Sequence, residues 1–301
     1  MTGLLAVGFE KYGDEALLEK DPIHHLYEVY VKINKDAKED PAVDKQANLY
    51  FKLMEEGDEQ ALKQWRLFRQ LSITSYKQIY RRLNIEFEQY SGESQVNSYI
   101  PRIYQLLDDK GLICKQDDGS LVVDLENYKL GKPVLQRSDG TSLYLTRDLA
   151  SLLMRSERFP AERAIYVVGT EQGQYLKQVF KIADLLFDEP KQLLHVPFGR
   201  IHGMSTRKGS VVFLQDILDT ARLSMLDIMK ENDEKYQQIL EEAKANQEVL
   251  DIADVVGGSA VLIQDLSAKR IKDYHFSWKR MTDARGDTGV YLQYAHARLC
   301  G

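Results

Sequence analysis

Through the middle of the chain, helical and strand-like spacings of apolar positions alternate. "YLTRDLASLLMRSER" carries apolar residues at helical intervals, "AIYVV" is a short continuous run, residues 173–187 return to helical spacing, and "LLHVPF" is again short and apolar. Short runs rich in β-branched residues and bounded by turn formers suit buried strands, whereas longer periodic segments suit helices. The pattern predicts a helix over 146–158, a strand over 164–168, a helix over 173–187 and a strand over 193–198. Strands separated by helices of that length favour a parallel sheet with crossover helices.

Upstream the pattern is mainly helical. Ile23, Leu26, Tyr27, Tyr30 and Val31 predict an amphipathic helix from Pro22 to about Asp40, with Pro22 in its first turn. Residues 44–83 are helical in composition and broken near "EEGDEQ" at 55–60. "IEFEQYSGES" at 85–94 reads as a turn or strand, followed by a helix whose core face uses Val96, Ile100, Ile103, Leu106 and Leu107. Two short strands around Asp-Asp-Gly-Ser in 112–125 and a third at 133–136 form a small strand-rich insertion. The first 20 residues read as a loop and short strand. Beyond the central region, a helix follows from Phe213 to about Lys230, then a polar helical run over 231–247, an apolar helix over 252–265 and a last helix approaching residue 301.

Composition narrows the function classes only modestly. The 301 residues are 44% hydrophobic and 29% charged, enough for one large domain or two unequal ones. Neither a sustained apolar span nor a secretory signal stands out, so a cytoplasmic protein without a membrane partner is expected. The net charge of −6 argues against nonspecific coating of nucleic acid, although a local basic patch can still engage a phosphate backbone. Cys114 and Cys300 form no cluster and the six histidines are scattered, so neither a disulfide framework nor a protein metal site is expected. His24 and His25 fit their helix better than they fit a metal.

In open parallel sheets, ligands gather beyond the carboxyl ends of strands. That rule singles out the loops 138–148, 169–174 and 202–210. Tyr144 and Asp148 lie one turn apart if a helix begins near Tyr144, so both can face one pocket. Asp148 could then receive a planar guanidinium, with Tyr144 as an aromatic wall or hydrogen-bonding phenol. The plainer alternative is a helix-start Asp held by local amides and an ordinary core tyrosine. Gln172 offers an acceptor and donors to a polar ligand, or else it serves as a turn or cap. Met204, Ser205, Thr206, Arg207, Lys208 and Gly209 combine cations with small residues, suited either to charge on transferring phosphates or to a solvated loop. Neither GxGxxG nor GxxxxGK[ST] occurs.

"MSTRKG" after a strand resembles the signature loop of class I aminoacyl-tRNA synthetases. Together with "SDGTSLYLTRDLA", "VVGTEQ" and "GDTGVYLQYAHARL", it resembles the arginyl-tRNA synthetases, in the style of the eukaryotic cytosolic form. The resemblance covers roughly residues 85–300, and the opening "LLAVGFEKYGD" with its helices also resembles the catalytic region. It implies an α/β, Rossmann-like parallel-sheet catalytic core with helical and small strand-rich insertions, incomplete at both ends. Within residues 1–300 it divides into a helical insertion at 23–83, a mixed insertion at 85–137, an α/β core at 138–230 and a helical connection at 231–300. This last part approaches an anticodon-binding domain expected around or after the end of the sequence.

The resemblance implies ATP-dependent activation of L-arginine and transfer to arginine tRNA, with Mg2+ accompanying ATP and a monomeric parent protein. Tyr144, Asp148 and Gln172 fall where the family recognises arginine. Residues 204–209 fall where it holds the ATP phosphates, with Arg207 and Lys208 as the catalytic cations. Tyr291, Gln293 and His296 fall near the nucleotide site, as support or as packing beneath it. Two departures stand out. Gly203 and Thr206 occupy positions where the common class I loop carries lysines, and no His-x-Gly-His string occurs. Another ATP-using nucleotidyl-transfer enzyme and a noncatalytic synthetase-like scaffold or tRNA-binding module are the alternatives.

Overall fold

Asp, Pro and Gly punctuate the helical half of the chain. Asp14, Asp21, Asp40 and Asp58 each accept a backbone N–H at a helix start, Pro22 and Pro41 open two helices, and Gly57 closes one at φ 88°. These are standard solutions for the unsatisfied amides and carbonyls at helix ends. The computed structural model describes residues 2–138, 140–159, 161–187, 192–203, 213–230, 246–281, 283 and 286–301.

In chain order the helices are α1 (Thr2–Tyr12), α2 (Glu15–Lys20), α3 (Pro22–Glu39), α4 (Pro41–Glu56), α5 (Glu59–Arg82) and α6 (Ile100–Asp109). Strands β1 (Ile113–Lys115), β2 (Leu121–Val123) and β3 (Val134–Gln136) precede α7 (Tyr144–Arg158), β4 (Arg163–Gly169), α8 (Gly173–Leu186) and β5 (Gln192–Phe198). Then come β6 (Ile201–His202), α9 (Leu214–Lys230), α10 (Asn246–Leu266), β7 (Tyr274–His275), α11 (Trp278–Met281) and α12 (Gly289–Cys300). The chain forms two compact units, one of residues 1–88 and 213–258, the other of residues 89–212 and 259–301. The polar run expected over 231–247 falls mainly outside the described residues.

The first unit is helical. Leu18, Leu26 and Phe68 form a small core against which Leu5, Phe9 and Leu71 pack. The opening is helical, not the expected loop and strand. Its glycines act as points of close approach: a Cβ on Gly3 would lie 2.0 Å from the Ala47 carbonyl oxygen, and one on Gly8 would lie 2.9 Å from Ile33. The buried stripe of α3 is Pro22, His25, Leu26, Val29 and Ile33, while Val31 is exposed, so the helix is rotated from the expected face. His25 is buried, and its Nε2 accepts the Asp14 N–H at 2.8 Å.

The second unit contains the alternating elements. β4 and β5 pair in parallel from Arg163 with Gln192 to Gly169 with Phe198, and α8 makes the crossover. β1–β2–β3 is the expected small sheet and is antiparallel throughout. The segment 85–94 forms no strand; it ends in a 3-10 turn beginning at Glu93. The core gathers Val96, Ile103 and Leu107 with Leu135, Leu149 and Ile182. At ~25 cal/mol per Å² of apolar surface removed from water, such burial is what holds α6, α7, α8 and the small sheet together. Among the described residues, no helix is long and apolar enough to cross a membrane.

Candidate functional site

The start of α7 is set by β3. Leu143 donates its N–H to the Leu135 carbonyl at 3.1 Å, and the buried Thr146 hydroxyl donates to the same carbonyl at 2.8 Å. Between strand and helix, Gly140 at φ 85° supplies a left-handed turn, with its carbonyl accepting from Gln136 Nε2 at 2.8 Å. α7 then turns Leu145, Thr146, Leu149 and Ala150 into the core. Tyr144 and Asp148, one turn apart, remain on an exposed side, and Tyr144 is 73% exposed.

α8 supplies the other half. β4 ends at Gly169, a 3-10 turn spans Thr170–Gln172, and α8 begins at Gly173. Gln172 closes the turn and stands at the cap position of α8, as the turn-or-cap reading has it, while its side chain makes no capping hydrogen bond. One turn later the half-buried Tyr175 donates its phenolic O–H to Asp148 Oδ2 in a very short contact. Burial, then the Asp148 hydrogen bond and charge, push the Tyr175 phenol well above its ordinary pKa. It therefore stays a proton donor. Asp148 keeps lone pairs for a further donor, and it is tied to α8 rather than spent on local amides at the start of α7.

Tyr175 was not legible as a site residue from motif matching alone. Its position three residues after Gln172 is the signal that could have found it, because residues three apart at a helix start share a face. Beneath this turn, His195 Nε2 lies 2.9 Å from the Val168 carbonyl oxygen, which accepts its proton. Arg200 Nη2 approaches Glu171 Oε1 at 3.8 Å.

The approach to the cationic segment is also held in the second unit. β6 pairs in parallel with β7, Phe276 N–H donates to the His202 carbonyl at 2.8 Å, and Gly203 takes φ 76°. Asp273 accepts the Arg200 N–H at 2.7 Å and faces His202 Nε2 at 3.3 Å, contacts that hold its carboxyl below the usual range. Met204, Ser205, Thr206, Arg207, Lys208 and Gly209 lie outside the described residues.

Gln293 Nε2 donates to Ser259 Oγ at 2.7 Å, joining α12 to α10. A Cβ on Gly289 would lie 2.4 Å from the Ser259 carbonyl oxygen, so the two backbones meet closely there. Tyr291 is exposed, and His296 Nε2 lies 3.6 Å from Cys300 Sγ. A cavity of about 630 Å³ lies against Arg155, Phe159, Ile165 and Val167, and its lining includes none of Tyr144, Asp148 and Gln172. Among the described residues no group of three or more His, Cys, Asp or Glu could hold a metal ion.

A family model described as tRNA synthetases class I (R), catalytic domain, matches residues 1–278. The cytoplasmic arginine–tRNA ligase of Saccharomyces cerevisiae is 48% identical, the match covering 99% of this chain and 49% of that protein. The mitochondrial arginine–tRNA ligase of the same yeast is 46% identical, with 99% and 47% covered. The chain spans about half the length of these curated relatives. The crystal structure of arginyl-tRNA synthetase from Plasmodium falciparum superposes with a TM-score of 0.76 at 22% identity, covering 99% of this chain and 49% of that one. That from Thermus thermophilus gives 0.73 at 18%, with 98% and 54% covered. These structural likenesses bear out the Rossmann-like synthetase fold.

Proposed function

The chain belongs to the arginine-specific class I tRNA synthetases through their catalytic domain, and from that premise we propose that it carries the arginine-recognising part of an arginine–tRNA ligase. The observation that carries this reading is Asp148, an exposed carboxylate oriented by the Tyr175 phenol, one turn from Tyr144 and tied to the helix that Gln172 precedes. A carboxylate in that setting suits a guanidinium, which presents paired donors in one plane. Tyr144 supplies an open aromatic face, and Gln172 supplies uncommitted amide donors and an acceptor.

In the reaction proposed, an oxygen of the arginine carboxylate bonds to the α-phosphorus of ATP. The bond to the bridging oxygen breaks and pyrophosphate leaves. A ribose hydroxyl of the terminal adenosine of arginine tRNA then attacks the activated carbonyl and AMP departs. No protein nucleophile is needed; alignment and charge stabilisation supply the acceleration. Arg207 and Lys208, with Met204–Gly209 around them, are assigned to the phosphates, and Mg2+ would enter with ATP as part of the substrate. Tyr291, Gln293 and His296 are assigned to support of the nucleotide site, a role for which the Gln293–Ser259 bond supplies a packing element. We assign the protein to the cytoplasm and to a monomeric state. Relatives named cytoplasmic, at 48% and 45% identity, support the compartment, although one named mitochondrial stands at 46%.

The test is arginine-dependent ATP–pyrophosphate exchange, with and without arginine tRNA, on this chain and on a polypeptide as long as its relatives. Exchange in either is the expected result. Its absence from both, with tRNA binding retained, replaces the reading by that of a noncatalytic tRNA-binding scaffold. Arg207→Ala or Lys208→Ala is expected to lower kcat/KM for ATP about tenfold, a loss of ~1.4 kcal/mol, while the Kd of free arginine stays within about twofold. An unchanged ATP dependence removes these cations from the phosphate role.

A further inference from the structure

The Tyr175 ring packs against the buried core of the second unit, which includes Leu149, Leu152 and Val179. Its phenol ends beside Asp148, which stands on the exposed side of α7. The terminal torsion of an aspartate side chain is broad, so an exposed carboxylate ordinarily samples many orientations. Here the phenol donates to Oδ2, and a donor anchored in the core sets the plane of the carboxylate. The α7 guanidiniums before and after Asp148 have other partners: Arg147 donates to Asn97 Oδ1 at 3.2 Å and Arg155 to the Tyr166 phenol at 3.4 Å.

The phenol keeps this role at neutral pH and well above it. Burial, then the hydrogen bond and charge of Asp148, then the charge of Glu93 hold its pKa well above the ordinary value. With Oδ2 accepting the phenol, Oδ1 and the second lone pair of Oδ2 remain for a ligand. Two side chains of equal charge use them differently. A guanidinium presents paired N–H groups in a rigid plane and gains both hydrogen bonds only where the carboxylate matches that plane. The lysine ammonium is a compact charge with three rotatable donors, and it meets a carboxylate in any orientation.

We infer that Tyr175 is a positioning residue that makes the Asp148 site selective for a guanidinium over an ammonium, by fixing the plane of the carboxylate before the ligand arrives. The inference rests on the arginine-recognising role proposed above and goes a step further, since a negative charge alone attracts arginine and lysine alike. Ordering the carboxylate in advance favours the ligand whose geometry it already fits, because that ligand no longer has to immobilise it on binding.

Arginine and lysine affinities, measured by isothermal titration and, for the weaker ligand, by competition with arginine, test this selectivity. Tyr175→Phe keeps the ring against the core and deletes the donor. Loss of that one hydrogen bond is expected to raise the Kd of arginine about tenfold and to leave that of lysine within about twofold. A merely structural role would weaken both amino acids together. Because Tyr175 acts through Asp148, adding Tyr175→Phe to Asp148→Asn should change arginine affinity only within about twofold. Should Tyr175→Phe fail to fold, the wild type carrying isotope-labelled tyrosine supplies the comparison by NMR. The signal of the Tyr175 ring carbon that bears the hydroxyl is expected to move when arginine binds, and to move less at equal occupancy by lysine.

An unchanged arginine affinity in folded Tyr175→Phe, an equal loss for the two amino acids, or full additivity with Asp148→Asn overturns the positioning role. The proposed function stands in those cases as long as Asp148→Asn alone weakens arginine binding. In the labelled wild type, a Tyr175 signal that ignores arginine, or answers both amino acids alike, overturns the inference in the same way. A wild type that binds no arginine, or an Asp148→Asn protein that binds it with equal affinity, overturns the proposed function and the inference together.

Discussion

Replacing Asp148 by asparagine is expected to weaken arginine binding about 30-fold, a loss of ~2 kcal/mol, with the fold intact. An asparagine Oδ1 can still accept the Tyr175 phenol, so the tie between α7 and α8 survives. What disappears is the charge, and hydrogen bonds to charged groups contribute ~1.5–3 kcal/mol against ~1 for neutral ones. Asparagine also brings an NH2 group where a guanidinium presents only donors, so one of its contacts turns from attraction to repulsion. Citrulline, which replaces the guanidinium by a neutral urea of similar shape, separates charge from fit. The wild type should prefer arginine over citrulline strongly, and Asp148→Asn should lose most of that preference. Isothermal titration with the two amino acids gives the answer without requiring turnover. Equal arginine affinity in the folded variant would remove Asp148 from the pocket.

How far this site could be read from sequence follows from the kind of signal each residue leaves. Tyr144 and Asp148 share helical spacing, and the change from strand to helix period around them is strong, so α7, β4, α8 and β5 emerge within a few residues of their observed bounds. Tyr175 leaves only its three-residue spacing from Gln172, since its partner lies 27 residues away and only the folded pairing of α7 with α8 joins them. The first helix illustrates the opposite difficulty. Glycine lowers helix propensity, so "TGLLAVGFEKY" looks like a loop; in the fold Gly3 and Gly8 are tolerated because the α1 backbone must approach Ala47 and Ile33 where no Cβ fits. The same holds for His25. Beside Ile23, Leu26 and Tyr27 a histidine reads as surface or partly packed; in the fold it is buried, and its Nε2 satisfies the Asp14 amide, a bond set by the turn between α1 and α2. Periodicity reports which segments bury a face; long-range pairings decide which polar residues are buried with it.

The largest expected loss of stability comes from Arg82→Met. Arg82 closes α5, and its side chain is only 21% exposed. Nε and Nη2 engage both oxygens of Asp254 on α10, with the shortest contact at 2.5 Å, while Nη1 reaches Asp219 Oδ1 on α9 at 2.9 Å. Burial opposes the charge, but the hydrogen bonds and charges of Asp254 and Asp219 outweigh it and raise the guanidinium pKa further. Methionine keeps much of the aliphatic stem's volume, so the loss is electrostatic. Arg222 remains 3.6 Å from Asp219, but nothing on the α5 side then answers Asp254. Breaking a fully buried pair costs ~3–5 kcal/mol, and partial exposure reduces that to ~2–3 here. Urea unfolding should therefore show a lower midpoint at unchanged slope. Arg82→Met combined with Asp254→Asn should lose less than the two single changes added together, because the second removes the charge that the first leaves unanswered. An Arg82→Met protein within ~0.5 kcal/mol of the wild type, or strict additivity in the double variant, would reduce this three-helix junction to a surface ion pair of the kind that contributes little.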